Sequence, residues 1–120
     1  MANNKQHSVA AIVFEKVIAR VTYNYDFAPV TREDGSEDET YKSVQYGGTP
    51  SSNGIKKAVL EAEFPVAVEQ KLVNEYNAAV LGLLPEGDAE KAVAKYRAFL
   101  SRRAELFAQV EADCKAEGVL

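Results

Sequence analysis

Between Ser8 and Ala28 the odd-numbered positions are Val9, Ala11, Val13, Glu15, Val17, Ala19, Val21, Tyr23, Tyr25 and Phe27, and nine of these ten are apolar or aromatic. From Lys16 onward the even positions are mostly polar, with Ile18 the exception. A period of two is the mark of a strand with one face buried, and Val, Ile, Thr and Tyr suit a pleated surface. The stretch exceeds one ordinary strand. It therefore predicts two strands, about 8–14 and 17–28, or one long strand broken by a bulge near Glu15-Lys16. A rival reading is a helix over 8–21, capped by Ser8, with Val9, Ile12, Val13 and Val17 on one face. The density of β-branched residues favours strand.

Pro29 ends this pattern. Thr31–Thr40 (TREDGSEDET) follows, with five acids and one arginine, a local charge equal to the whole chain's -4. Tyr41–Tyr46 then predicts a short strand, antiparallel to 17–28, with the acidic loop at the tip. Gly47-Gly48-Thr49-Pro50-Ser51-Ser52-Asn53-Gly54 is a turn-rich connector.

Beyond it the period changes to that of helices. Ile55, Ala58, Val59 and Ala62 share a face, with Ser51, Ser52 or Asn53 as N-cap. Pro65 separates this helix (52–64) from a second (66–82), whose face is Val68, Leu72, Tyr76, Ala79 and Val80. Gly82 and Leu84-Pro85-Glu86-Gly87 stop it. Asp88 is the expected cap of a third helix, 89–117, with an apolar stripe of Val93, Tyr96, Leu100, Phe107, Val110 and Cys114. Such a helix is roughly 42 Å long. Part of it must overhang the sheet, bend, or pack on another molecule.

Strands first and helices afterwards predict an α+β fold: an N-terminal antiparallel sheet of about three strands within residues 8–46, covered on one face by three C-terminal helices. Residues 1–7 are expected to form a polar tail, and 8–120 a single domain. At 120 residues the chain can bury a core without staples.

The residue inventory narrows the chemistry. One cysteine, Cys114, excludes an internal disulfide, and its place on the apolar stripe predicts a buried, inert thiol. His7 is the only imidazole and falls in the polar tail. A structural zinc site wants four Cys/His ligands, and there are two; no metal, cofactor or catalytic set is assigned. The longest apolar run, Val9–Phe14, is far short of the ~20 residues that cross a bilayer. The polar N-terminus has no apolar segment of the secretory kind. A cytoplasmic protein with no membrane partner is expected.

Three sets of residues are candidates for binding. The loop Gly47, Gly48, Thr49, Ser51, Ser52, Asn53, Gly54, with Lys56 and Lys57, lies between a strand and a helix N-terminus, where backbone N–H groups favour anions. It matches neither nucleotide-loop spacing, and Pro50 removes one donor. Lys91, Lys95, Arg97, Arg102 and Arg103 form a stretch free of acids, interleaved with Tyr96 and Phe99, in outline a nucleic-acid footprint. The isoelectric point near 5.0 opposes that reading. Tyr23, Tyr25, Tyr41 and Tyr46 gather in the sheet half, where tyrosine serves interfaces as well as strands. The acidic residues Glu33, Asp34, Glu37, Asp38 and Glu39 do not follow a calcium-loop pattern.

The leading functional expectation is a non-catalytic interaction or structural protein whose partner is another protein or a second copy of itself. One alternative is a nucleic-acid-associated regulator using residues 91–103. Another is a small ligand- or anion-binding or enzymatic domain using the 47–54 loop.

Overall fold

A computed structural model describes residues 7–120. The order of elements is β1 (Ile12–Glu15), β2 (Arg20–Thr31), β3 (Glu37–Gly47), α1 (Ser52–Glu63), α2 (Val66–Val80) and α3 (Glu86–Glu117). The three strands form an antiparallel sheet in the order β1-β2-β3, so the fold is α+β with the strands first.

The break in the first alternating run is a turn at residues 16–19, not a bulge near Glu15-Lys16 and not a helix. Ala19 takes a positive φ of 48° there, and Glu15 pairs with Arg20 across the turn. Val17, on the apolar side of the pattern, is fully exposed. A real bulge lies further on. Tyr25 pairs with Lys42 but Ala28 pairs with Thr40, leaving one extra residue in β2. Asp26 absorbs it with a φ of 55°, a conformation that aspartate tolerates better than most residues. The bulge ends the core-facing run of Val21, Tyr23 and Tyr25. Phe27 instead stacks on His7, with ring centroids 3.8 Å apart, and tilts against Tyr41.

The acidic loop is shorter than expected. The chain reverses at 32–36, where the Arg32 N–H donates to Ser36 O and Gly35 has positive φ. Glu37, Asp38 and Glu39 belong to β3, extending the strand expected at 41–46 to 37–47. Of the polar tail expected over 1–7, residues 1–6 lie outside the described residues. His7 is docked: its Nδ1 lies 2.8 Å from Glu39 Oε2.

The core lies between one face of the sheet, α1, and the C-terminal half of α3. It holds Ile12, Val21, Tyr23, Tyr25, Ile55, Val59, Leu106, Val110 and Cys114. On the other face, Asn24 is buried with its backbone N–H donating to Ala11 O and its side-chain amide to Ala10 O.

Two helix details differ from the sequence reading. α3 starts at Glu86 with Pro85 in the capping position, and Asp88 sits inside the first turn. Proline at a helix start sacrifices no hydrogen bond, and acids in the first turn suit the helix dipole. The buried stripe of α3 is Ala92, Phe99, Leu106, Val110 and Cys114, so only its last two members match expectation. Leu100 is 44% exposed.

α2 has no fully buried residue and packs along the N-terminal half of α3, away from the sheet. An aromatic elbow joins them. Phe64 meets Phe99 edge-on at 4.7 Å, and Tyr76 stacks on Tyr96 at 4.5 Å. The molecule is elongated, 50 × 39 × 27 Å, with a radius of gyration of 18.1 Å. A compact chain of this length has roughly 14 Å. The excess comes from the α2/α3 arm and the β2–β3 ribbon beyond the bulge.

Candidate functional site

The most developed polar constellation joins the sheet to α1 and α3. Tyr25, buried on β2, donates its hydroxyl to Glu63 Oε2 at 3.0 Å. Glu63, at the end of α1, also accepts from Arg102 Nε and Lys42 Nζ, each at 3.1 Å. Asp26, exposed at the bulge, accepts from Arg102 Nη2 at 2.5 Å and lies 3.3 Å from Lys42 Nζ. Arg102 Nη1 reaches Glu105. One guanidinium thus bridges three carboxylates from β2, α1 and its own helix. Nearby, Tyr23 donates to Asp113 Oδ2 at 2.5 Å.

The electrostatics follow from these contacts. Burial first, then the bond to Asp113, pushes the Tyr23 phenol far up. Burial and Glu63 do the same for Tyr25. Burial alone would raise the Glu63 carboxyl, but hydrogen bonds from Arg102, Lys42 and Tyr25 outweigh it and hold the group below the usual value. The bond to Glu63 leads the causes that push the Arg102 guanidinium up. A cleft of about 340 Å³ opens beside this network, lined by His7, Tyr25, Asp26, Arg102, Glu105 and Gln109. The polar groups facing it are already engaged: Arg102 with Asp26 and Glu105, His7 with Glu39, and Asp113 with Tyr23 and Gln109. The arrangement locks α1 and α3 to the sheet. Among the described residues no cluster of His, Cys, Asp or Glu could hold a metal ion, and no buried side-chain polar atom lacks a partner.

The glycine loop is filled by its own side chains. Ser51 Oγ caps α1 by accepting from the Gly54 N–H at 3.0 Å. The Tyr46 hydroxyl donates to Thr49 O and accepts from the Ser51 N–H. A methyl group on Gly54 would lie 2.8 Å from both Ser51 Oγ and the Tyr46 hydroxyl, so glycine is there for close approach. Gly47 and Gly48 end β3, and the Gly48 N–H donates to Ala19 O. Ser52 and Asn53 open α1. Lys56 pairs with Glu111 at 2.6 Å and stands over Phe107; Lys57 lines a shallow groove beside β3. The two lysines do not converge on the helix N-terminus.

The basic stretch is divided. Arg102 is committed to the network, and Arg103 stacks over Phe107 at 4.5 Å. Lys91 and Lys95 flank a depression with Glu75 and Asp88, while Arg97 lines a different groove. The four tyrosines of the sheet are likewise separated. Tyr23 and Tyr25 are core, Tyr46 packs against the loop, and only Tyr41 is exposed. The acidic residues are largely used locally. Asp38 pairs with Arg32, Asp34 caps Ser36, and Glu39 is held low by the Ser8 N–H and then His7. Cys114 is buried, and burial leads the causes that raise its thiol.

The helical arm presents a surface that no single motif announced. Val66, Val80, Leu81, Leu83 and Leu100 are all exposed on it. A shallow groove of about 410 Å³ runs between α2 and α3, floored by Ala79, Ala89, Val93 and Ala94 and bordered by Glu86, Glu90 and Arg97. The overlength of the last helix was its one sequence signal. Among the described residues no helix is long and apolar enough to cross a membrane. In comparisons with known proteins, no family model, no curated protein and no solved structure matches the chain.

Proposed function

We propose that the protein is a non-catalytic interaction module, working in the cytosol, that associates with a second copy of itself through the α2/α3 arm. The observation that carries this reading is the exposure of Val80 (63%), Leu81 (70%) and Leu83 (71%) together at the end of an arm with no residue in the core cluster beneath the sheet. An apolar cluster of this kind on a projecting element marks an association surface. Isolated helical hairpins gain little stability on their own, and packing of the open face against another chain supplies it.

The test is light scattering on the wild type and on the triple variant Val80→Ser, Leu81→Ser, Leu83→Ser. The wild type is expected to show a mass above one chain and the variant a single-chain mass. The sheet core is untouched, so the variant is expected to stay folded, with an unfolding midpoint that no longer depends on concentration. A wild type that stays a single chain over the accessible concentration range contradicts the proposal.

A further inference from the structure

We infer that the open face of the arm is the contact surface of a two-fold dimer, in which α3 of one chain crosses antiparallel over α3 of a second copy about an axis between Val93 and Ala94. This rests on the self-association reading and names its geometry. The argument is charge complementarity. Glu86, Glu90 and Arg97 of α3 border the same groove, and all three are exposed; about the axis proposed, Glu86 faces Ser101 of the other chain, so Glu90 and Arg97 are the two that can pair. Among the described residues neither takes part in an ion pair. Seven residues is close to two helical turns, so both side chains point the same way. A two-fold axis midway between them, with the helices antiparallel, sets Glu90 of each chain opposite Arg97 of the other. A parallel, in-register pairing would set like charge against like. In the antiparallel arrangement Val93 and Ala94 flank the axis, where helices must approach closely. Position 100 then faces position 87 of the second copy, so the arm tip with Leu83 covers Leu100, an exposed leucine the monomer leaves unexplained.

The arm is roughly 22 Å long and about 20 Å across its two helices. Such a face is at the small end of specific interfaces. The dimer is therefore expected to be concentration-dependent, with a dissociation constant on the order of micromolar. The apolar floor supplies the attraction, and the two charge pairs set orientation and register.

The test is sedimentation velocity on Glu90→Arg, on Arg97→Glu, on their equimolar mixture, and on the double variant. Each single variant faces like with like and should dimerise at least tenfold more weakly than the wild type. In the mixture, a chain with arginine at both positions 90 and 97 meets a chain with glutamate at both, and dimerisation should return. The double variant restores both pairs within a homodimer. Recovery in the mixture also proves that both single variants are folded. Single variants that dimerise like the wild type, or a mixture that does not recover, overturn the antiparallel register while leaving self-association standing. A wild type that is monomeric throughout overturns self-association itself.

Discussion

The Tyr25 hydroxyl lies 3.0 Å from Glu63 Oε2 and donates to it, tying the centre of β2 to the end of α1 just before the chain turns into α2. The same carboxylate receives Arg102 and Lys42. This junction is where the packed body ends and the arm begins. The body is held by a core and a charge network, and the arm by one seam of aromatics and small residues.

Arg102 is the residue that most tightly couples the elements of the body. Arg102→Ala leaves Asp26 and Glu63 facing each other with only Lys42 between them. It should lower stability by about 1–3 kcal/mol in denaturant unfolding. Arg102→Lys keeps the charge but not the planar fork, and should recover only part of the loss. An alanine variant as stable as the wild type would show that the network is ornamental.

The acid side of the stability profile should report Glu63. Its folded-state pKa lies below the ordinary glutamate value of 4.5, so its ionised form adds stability above that value. That contribution fades as the pH falls through the lowered folded pKa. Thermal unfolding followed between about pH 6 and 3 should show the melting temperature falling. Glu63→Gln should start lower and fall less steeply. Equal slopes in the two proteins would remove Glu63 as the source of the acid sensitivity.

On the alkaline side the buried phenols behave in the opposite sense. Tyr23 and Tyr25 have raised folded-state values, so unfolding releases their protons and stability drops as the pH climbs past the ordinary tyrosine value of 10.0. In a phenolate absorbance titration both should ionise only as the protein unfolds. Tyr23→Phe and Tyr25→Phe should each remove one late-titrating group.

The two halves of the sequence were unequally legible. The alternation from Val21 to Tyr25 names the buried face of β2, and the change of period after Gly54 marks where helices begin. The bulge at Asp26 was hidden, because no glycine flags the positive φ and the strain is borne by an aspartate that Arg102 and Lys42 hold in place. The two stripes of α3, 92/99/106 and 93/100/107, lie one residue apart. Which one faces α2 depends on the elbow of Phe64 and Phe99, a contact between residues far apart in sequence. The basic stretch read as one face because a linear sequence does not show that Asp26 and Glu63 arrive to claim Arg102. The glycine loop read as an open cradle because Tyr46, at the end of the preceding strand, gave no sign that its hydroxyl would fill it.

Two glycines separate close approach from mere permissiveness. Gly54→Ala would press its methyl group into Ser51 Oγ and the Tyr46 ring, and should destabilise by about 1–3 kcal/mol. Gly87, in the first turn of α3, has nothing within 4 Å of an added Cβ, and Gly87→Ala should stabilise by up to about 1 kcal/mol. Chemical denaturation of both variants checks the contrast. Similar effects from the two would contradict the packing described at Gly54.

Self-association through the arm is the central claim, and sedimentation equilibrium on the wild-type chain tests it most directly. The weight-average mass should rise with concentration from 13.1 kDa toward twice that value and level off there. A mass that stays at 13.1 kDa across the whole range would contradict it.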